Sequence, residues 1–229
     1  MDVEALKEEA GVAACAYVQS GMNVGLGTGS TVKYTILELG RRVREEGLEI
    51  VGVPTSLATR DLAIEVGIPL ADLDELEGLH VVIDGTDEFD PQFQLIKGGG
   101  AALLREKVVA QSSTSMVVVA DARKQVDTLG AFPLPIEVTP FSYNTTKRGI
   151  EKLLQCEVTM RLSNGALLTT DNGNYIADAH TGATLTDPVE TERRLLNLAG
   201  VVQVGLFNDM CDVVVLASSE GVSVLEKGD

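Results

Sequence analysis

The first 120 residues alternate between helix-like and strand-like patterns of apolar and polar positions. Apolar residues three and four positions apart predict a first helix over 2–20, which Gly21 ends. Short apolar runs predict strands, and the amphipathic stretches between them predict helices. The predicted strands cover 22–26, 49–53, 80–84 and 116–120, with helices that end near residues 46, 66 and 110. Strands that alternate with helices indicate crossover connections and a mostly parallel sheet.

The pattern changes after Gly130, where Pro133, Pro135 and Pro140 are closely spaced and the apolar runs are shorter. The predicted order is strand, helix, strand, strand, helix, strand, with Asn172-Gly173 as a turn signal between two strands. We therefore predict an α/β fold, in which a Rossmann-like domain with a mostly parallel sheet carries a smaller ferredoxin-like α+β domain. The predicted bounds are 1–130 and 205–229 for the Rossmann-like catalytic domain, and 131–204 for the smaller domain.

The charge of the chain excludes several classes of partner. Among 229 residues, 34 Asp and Glu outnumber 18 Lys and Arg, which gives a net charge of −16. Nucleic acids and anionic membranes attract clustered Lys and Arg, so we expect neither partner. No apolar run approaches the ~20 residues of a membrane span, and the N-terminus lacks the pattern of a signal peptide. These features favour a cytoplasmic protein.

Cysteine and histidine usage argues against a metal site. Cys15, Cys156 and Cys211 are widely separated and form no Cys-x-x-Cys pair, and the chain has only two histidines, His80 and His180. A disulfide framework, a zinc site or a Ser-His-Asp triad is therefore not expected. We expect a reduced protein that uses no metal and no cofactor.

The loop 25–31 between the first predicted strand and the next helix resembles a phosphate cradle. Its three glycines let backbone N–H groups approach an anion, and Thr28, Ser30 and Thr31 add hydroxyl donors at a helix N-terminus. A dinucleotide G-x-G-x-x-G pattern would need glycine in place of Ser30, and no Walker A lysine follows. A tight turn with a Ser/Thr helix cap is the alternative, and we favour phosphate binding.

Acidic residues cluster after the predicted strand 80–84. Ligands bind open α/β sheets at the carboxyl ends of the strands, where this cluster lies. Asp84 and Asp87 are three residues apart and could converge on the hydroxyl groups of one substrate. Because Glu88 and Asp90 add further charge, some of these groups need partners or have raised pKa values. A solvated acidic turn is the alternative.

Two further segments carry candidate chemistry. Lys97 precedes the glycines 98–100, whose N–H groups could stabilise an oxyanion beside the ammonium group. Glu106 lies on an apolar helix face, where partial desolvation would suit a general base, although a surface ion pair is the alternative. Arg123 and Lys124 follow the predicted strand 116–120, and either could hold a phosphate. This inventory fits proton transfer next to the carbonyl of a phosphorylated small molecule.

The motifs that contain these residues resemble type A ribose-5-phosphate isomerase, in the same order and spacing. The likeness covers essentially the whole chain, because two further motifs of the smaller domain also match. The matching segments are Gly27-Thr-Gly-Ser-Thr31, Asp84-Gly-Thr-Asp87-Glu88, Lys97-Gly-Gly-Gly-Ala101 with Arg105-Glu-Lys107, Ala120-Asp-Ala-Arg-Lys124, Asp171-Asn-Gly-Asn174 and Gly200-Val-Val-Gln-Val-Gly-Leu-Phe207.

The resemblance implies an enzyme of the pentose phosphate pathway that interconverts D-ribose 5-phosphate and D-ribulose 5-phosphate through a cis-enediol, without a cofactor. It implies Glu106 as the general base and Lys97, with the amides of Gly98, Gly99 and Gly100, as the oxyanion site. It also implies a homodimer or homotetramer. The implied sugar contacts are Asp84, Gly85, Thr86 and Asp87, one of the two acids assisting ring opening, and the implied phosphate contacts are Thr28, Gly29, Ser30, Thr31, Lys124 and Lys7.

The sequence departs from the family pattern at a few positions, and other functions are also consistent with it. Thr86 and Phe89 stand where the family pattern leads us to expect alanine and Ile or Val, and Ala199 stands where we expect proline. A non-catalytic sugar-phosphate sensor of the same fold type is the alternative function, but it would not need Glu106 on an apolar face. A deaminase or acyl-transferring relative is a third possibility, and a deaminase would need a catalytic histidine.

Overall fold

The structure is a computed structural model that describes residues 3–228. Within this range the α-helices are α1 (Val3–Ala14), α2 (Val32–Glu46), α3 (Leu57–Glu65), α4 (Leu103–Gln111), α5 (Tyr143–Leu154) and α6 (Pro188–Leu196). The strands there are β1 (Met22–Leu26), β2 (Ile50–Pro54), β3 (Val81–Gly85), β4 (Glu88–Phe89), β5 (Leu95–Ile96), β6 (Met116–Asp121), β7 (Leu134–Val138), β8 (Val158–Met160), β9 (Leu162–Ser163), β10 (Ala166–Leu167), β11 (Tyr175–Ala179), β12 (Val201–Val204), β13 (Leu206–Phe207), β14 (Val213–Ser218) and β15 (Gly221–Glu226).

The described residues form two compact units. Unit 1 contains the residues up to Thr86, Arg105–Lys124 and those from Met210 onward, whereas unit 2 contains Asp87–Leu104 and Gln125–Asp209. Residues 87–104 therefore group with unit 2, although the predicted bounds place them in the first domain. The division into a catalytic domain and a smaller domain at 130/131 and 204/205 stays a prediction.

Unit 1 is built on a six-stranded sheet with the order β15-β14-β6-β3-β1-β2. All neighbouring pairs are parallel except β14 and β15, which pair antiparallel at the edge. The Val-rich strands β6 and β14 are almost wholly buried, as expected for parallel strands covered on both faces. The predicted α/β class with a mostly parallel sheet is confirmed.

Unit 2 contains a four-stranded antiparallel sheet with the order β12-β7-β11-β8. In the series strand, helix, strand, strand, helix, strand, this order places the fourth strand beside the first and the third beside the second, as in a ferredoxin-like domain. Apolar residues of β7 form a core with Ile150 of α5 and Leu195 of α6. A smaller sheet, β13-β5-β4, belongs to the same unit.

The first helix is shorter than predicted. Helix α1 ends at Ala14 and a 3₁₀ turn follows, whereas the sequence pattern predicts a helix to residue 20; residue 2 lies outside the described residues. The Arg42 guanidinium donates to the carbonyl oxygens of Cys15 (2.6 Å) and Val18 (3.3 Å). A side chain on α2 thus adds hydrogen bonds to carbonyls at this helix end, where the Val18 N–H also donates to the Cys15 carbonyl oxygen.

The hairpin of unit 2 also differs from the prediction. Strand β11 follows the Asn172-Gly173 turn as predicted, but before that turn only the single bridge from Thr169 to Tyr175 forms. The regular hairpin β9–β10 turns at Asn164-Gly165, whose φ values of 52° and 81° suit a two-residue type I′ turn. The strand segments before residue 171 are therefore β8, which pairs with β11, and the short β10, which pairs with β9.

Helix length and composition also bear on membrane contact. Among residues 3–228, the structure has no helix that combines the length and apolar character needed to cross a bilayer.

Candidate active site

The candidate site in unit 1 lies where the strand order changes direction. From β1 the chain passes to β2 on one side, and β3 then pairs with the other side of β1. Ligands of open α/β sheets bind at the carboxyl ends of the strands at such a switch point. The predicted phosphate loop follows β1, and Asp84 and Gly85 end β3. The sheet topology therefore brings these two predicted segments to one edge.

The Asp84 carboxylate is locked into the phosphate loop. Its side chain is fully buried, and Oδ1 accepts hydrogen bonds from the N–H groups of Thr28 (3.0 Å) and Gly85 (2.7 Å). Gly27 must be glycine because a Cβ there would overlap the Asp84 carboxyl group. Charge-assisted hydrogen bonds of this kind are stronger than neutral ones. The acid and the loop therefore form one rigid arrangement.

A cluster of hydroxyl groups forms hydrogen bonds to the same loop, and it was not predicted from the sequence. The Thr28 hydroxyl lies 2.7 Å from that of Thr55 and 2.9 Å from that of Ser56. Thr59 donates its hydroxyl proton to the Gly27 carbonyl oxygen at 2.9 Å. The signal was a run of hydroxyl residues directly after β2, the neighbour of β1. Thr28 thus braces the loop, and its own contact with a phosphate stays a prediction.

The other members of the predicted phosphate loop are more accessible. Gly29 and Ser30 are exposed and Thr31 is half-buried, just before the first residue of α2. The positive end of the α2 dipole therefore faces the part of the loop that solvent can reach. Gly85 and Thr86, which follow Asp84, are half-buried. These positions are suited to contact a bound anion or sugar.

Glu106 occupies a buried face in the first turn of α4. Its exposed fraction is 3%, close to the 4% of Val109, whereas Val108 on the opposite face is 45% exposed. The helix packs closely on the sheet, because a Cβ at Gly25 of β1 would overlap Val109. Glu106 is therefore buried and does not lie at the surface, where the alternative interpretation of the sequence placed it. A carboxylate in a helix's first turn also interacts favourably with the helix dipole.

In the segment after β6, two neighbouring cations have different surroundings. The Arg123 guanidinium forms a fork with Asp121, with Nε 2.7 Å from Oδ1 and Nη2 3.0 Å from Oδ2. This hydrogen bonding lowers the pKa of the Asp121 carboxyl group. Arg123 is thus used for local charge balance, and the half-buried Lys124 is the better candidate for an anion contact. Both follow a parallel strand of the same sheet.

Lys7 lies on α1 and has a carboxylate partner. Its ammonium nitrogen is 2.6 Å from Oε1 of Glu4, and its side chain is 17% exposed. The hydrogen bond from Lys7 lowers the pKa of Glu4. A phosphate contact of Lys7 stays a prediction, and it would compete with this exposed ion pair, which stabilises the fold little.

In unit 2, Asp87 is bonded to the glycine turn. The Gly99 N–H donates to Asp87 Oδ2 at 2.7 Å, and the Asp87 N–H donates to the carbonyl oxygen of Ile96 at 2.8 Å. Gly98 has a φ of +112°, which residues other than glycine rarely adopt. The three-glycine segment is therefore a turn before α4, as predicted, and Gly99 and Gly100 are exposed.

Lys97 is held by residues of the 200–207 motif. The side chain is 2% exposed, and its ammonium nitrogen lies 5.3 Å from the centre of the Phe207 ring. The Lys97 N–H donates to the Gly205 carbonyl oxygen at 2.8 Å. An aromatic face attracts a cation, and the attraction strengthens when water is excluded. Phe207 thus supports the Lys97 ammonium group; it lies in a matching motif, but the sequence alone indicated no role for it.

The remaining acids of the predicted cluster have structural partners. The Glu88 carboxylate accepts hydrogen bonds from the backbone N–H groups of Gly130 (2.7 Å) and Phe132 (2.5 Å). Asp90 accepts two backbone N–H groups of the following turn, and burial raises the pKa of its carboxyl group. The acidic cluster is therefore not a solvated turn. In the part of the chain that the structure describes, no three His, Cys, Asp or Glu side chains are grouped to hold a metal ion.

Comparisons with known proteins identify the family. The family described as ribose 5-phosphate isomerase A (phosphoriboisomerase A) matches residues 51–221. The chain is 49% identical to ribose-5-phosphate isomerase A of Cereibacter sphaeroides over 233 aligned positions, which cover 99% of this chain and 93% of that protein. A match of this extent confirms the resemblance seen in the motifs.

Solved structures agree with the sequence match. The ribose 5-phosphate isomerase from Plasmodium falciparum has a TM-score of 0.96 and 37% identity, covering 99% of this chain and all of that one (100%). A D-ribose-5-phosphate isomerase in complex with phospho-erythronic acid has a TM-score of 0.95 and 39% identity, with 99% and 100% covered. A non-catalytic sensor is therefore not favoured. This chain belongs to the ribose 5-phosphate isomerase A family.

Proposed function

We propose that this chain interconverts D-ribose 5-phosphate and D-ribulose 5-phosphate, with Glu106 as the base that moves the proton. Family membership makes the chain an isomerase, and it supports this pair of substrates. The observation that carries the proposal for Glu106 is its burial, 3% exposed, on the sheet-facing side of α4. A base that must take a proton from carbon needs protection from water and a fixed position.

The proposed reaction begins from the open-chain aldose. Glu106 takes the proton from C2, the C2–H bonding electrons form a C1–C2 double bond, and the carbonyl electrons move onto O1. After a proton passes from the O2 hydroxyl to O1, the enediolate carries its charge on O2. The same carboxylic acid returns its proton to C1, and a carbonyl forms at C2. Protons and electrons balance, so the reaction consumes no co-reactant.

The developing oxyanion needs positive charge and hydrogen-bond donors. We assign this role to the Lys97 ammonium group and to the amides of Gly98 and Gly100, whereas the Gly99 amide, which donates to Asp87, holds that acid for the sugar. The buried position of Lys97 against Phe207 supports the assignment, because a lysine fixed in place does not lose side-chain entropy when charge develops. Fixed donors of this type commonly contribute about 10²–10³-fold in rate.

The remaining roles follow the chemistry of each residue. Asp84 and Asp87 accept hydrogen bonds from sugar hydroxyls, and one of them assists ring opening. The accessible amides and hydroxyls of residues 29–31, with Lys124, hold the phosphate. Thr28 in the loop and Lys7 on α1 add further phosphate contacts. Gly85 and Thr86 contact the sugar beside Asp84. A homodimer or homotetramer in the cytoplasm completes the proposal, and light scattering of the purified protein measures that oligomeric state.

Replacement of Glu106 by glutamine tests the proposal. Glu106→Gln keeps the side-chain shape but removes the basic oxygen, so kcat on ribose 5-phosphate falls about 10²–10⁴-fold. Calorimetric titration with ribose 5-phosphate keeps a Kd within about threefold of wild type, because the phosphate contacts are intact. Glu65→Gln, at the exposed end of α3, is the matched control and retains full activity.

Two results would contradict the proposal. Near-normal turnover of Glu106→Gln would show that another group is the base, and an inactive wild-type chain with intact sugar-phosphate binding would instead indicate a sensor. The assay contains a chelator, since a metal-free reaction keeps its full rate there. Phospho-erythronic acid, which combines a phosphate with a carboxylate, serves as the inhibitor, and we expect it to compete with ribose 5-phosphate.

A further inference from the structure

Arg161 of unit 2 bonds to the glycine turn from the ferredoxin-like sheet. It follows β8, and its backbone N–H donates to the carbonyl oxygen of Ile176 on β11 at 2.8 Å. Its Nη1 donates to the carbonyl oxygens of Gly98 (2.7 Å) and Gly99 (3.0 Å). Arg161 lies outside the predicted site, and the proposed reaction gives it no role of its own.

A carboxylate fixes the orientation of this guanidinium. Nε of Arg161 lies 2.9 Å from Oδ2 of Asp178 on β11, and Nη2 lies 2.5 Å from Oδ1. The side chains are only 16% and 15% exposed, so water competes weakly for the pair. A two-point pair between a planar guanidinium and a carboxylate has a defined geometry. Arg161 therefore presents Nη1 to the turn from a fixed position.

Because the peptide unit is planar, these contacts to the carbonyl oxygens also fix the directions of the following N–H groups. The C=O of one residue and the N–H of the next belong to one planar trans unit and point in opposite directions. When Arg161 draws the Gly98 oxygen to itself, the Gly99 N–H points the other way, and it does meet Asp87 Oδ2 at 2.7 Å. By the same geometry, the hold on the Gly99 oxygen directs the Gly100 N–H away from the guanidinium.

The turn needs such an external hold because its sequence supplies little stiffness. Three successive glycines have the widest conformational range of any tripeptide, and Gly99 and Gly100 are exposed. Within the turn, the Ala101 N–H donates to the Gly98 carbonyl oxygen at 2.9 Å. That bond closes the turn but leaves the Gly99–Gly100 peptide free to rotate, and Arg161 acts on that peptide.

We propose that Arg161, held by Asp178, is a positioning residue that sets the direction of the Gly100 amide for the isomerase reaction and keeps the Gly99 amide on Asp87. This inference rests on the proposed function, in which the Gly100 amide stabilises the oxyanion and Asp87 binds the sugar. Misplacement by about 1 Å can cost about 10²-fold in rate. Loss of Arg161 is therefore expected to lower kcat by about 10- to 100-fold, with KM within threefold, because the phosphate contacts lie elsewhere.

Substitution of both partners, with one control, tests this inference. Arg161→Met removes the guanidinium, Arg161→Lys keeps the charge without the fork, and Asp178→Asn weakens the hold on the guanidinium. Arg193→Met is the control, because Arg193 forms a similar fork with Glu190 on the exposed face of α6. The measurements are kcat and KM for ribose 5-phosphate, thermal unfolding, and hydrogen–deuterium exchange of peptides covering 97–101.

The expected result is a local and catalytic defect. Both Arg161 variants lose kcat, exchange at 97–101 becomes faster, and Arg161→Lys keeps a melting temperature close to wild type. Asp178→Asn shows the same pattern more weakly, and Arg193→Met behaves as wild type. The inference is overturned if Arg161→Lys retains kcat with unchanged exchange, or if KM rises while kcat holds. An inactive wild-type chain would instead refute the proposed function, and exchange at 97–101 still reports on the turn.

Discussion

Two substitutions at Asp84 separate its structural contribution from its chemical one. Its carboxylate accepts two backbone hydrogen bonds through Oδ1, from Thr28 and Gly85. Asp84→Asn keeps an oxygen at this position, loses the charge and replaces the other carboxylate oxygen by an NH2 donor. Asp84→Ala removes the acceptor and leaves two N–H groups without their partner. The two variants are expected to differ in stability but to share a loss of activity.

The magnitudes follow from the hydrogen bonds. A bond to a charged group contributes about 1.5–3 kcal/mol, and Thr28 and Gly85 are half-buried, so water partly replaces the lost acceptor. We therefore expect Asp84→Ala to lower the free energy of unfolding by about 3 kcal/mol, and Asp84→Asn by about 1 kcal/mol. A lost charged contact with a sugar hydroxyl lowers kcat/KM of both by roughly 10- to 100-fold.

Urea unfolding and steady-state kinetics measure the two effects. The chain has no Trp, so unfolding is followed by the circular dichroism signal of the helices. The urea midpoints of the variants are compared with the same m-value, the slope of the unfolding free energy against urea concentration. The two units can unfold separately, in which case the transition of unit 1 is compared. The reasoning is refuted if Asp84→Asn is as unstable as Asp84→Ala, or if its kcat/KM stays within twofold of wild type.

Three further substitutions test other contacts. Lys124→Ala raises KM for ribose 5-phosphate about tenfold or more with little change in kcat, and an unchanged KM would reject its phosphate role. Phe207→Leu removes the aromatic face beside Lys97 and lowers kcat about 2- to 30-fold, as a cation–π contact of ~0.5–2 kcal/mol implies, whereas Phe207→Tyr stays near wild type. Arg123 lowers the pKa of Asp121, so the pair stabilises the fold above the unfolded pKa of about 3.9, and this is lost as pH falls through the folded value. Arg123→Met should therefore melt below wild type at pH 7, and the difference in melting temperature should narrow as the pH falls below the unfolded pKa of about 3.9; a constant difference would contradict the assignment.

Local sequence patterns predicted the elements that carry the site. Val-rich runs marked β6 and β14, and the apolar neighbours of Glu106 on α4 predicted a buried face, which is confirmed. These features depend on residues within one or two turns of each other, so the sequence displays them directly. The roles of Glu106, Lys97 and the two acids remain proposals, since burial and hydrogen bonds constrain a role without measuring it.

Contacts between distant parts of the chain escaped prediction. Arg161 reaches Gly98 across more than sixty residues, and the hydroxyl of Thr28 meets those of Thr55 and Ser56 from the next strand. The two-residue strands β4, β5 and β13 are too short to show a period, and they form only because they pair with each other. Such features depend on topology, which places residues together without a local signature.

Isomerisation in D₂O tests the central claim, proton transfer by Glu106 through an enediol, most directly. A carboxylic acid exchanges its proton with solvent between the two half-reactions, so NMR of the sugars should show deuterium at C1 of ribulose 5-phosphate and at C2 of recovered ribose 5-phosphate. Glu106→Gln should show turnover and exchange that are both slower by about 10²–10⁴-fold. Many turnovers of the wild-type enzyme without deuterium in either sugar would mean that the C2 hydrogen reaches C1 without passing through a group that exchanges with solvent, and would contradict the account.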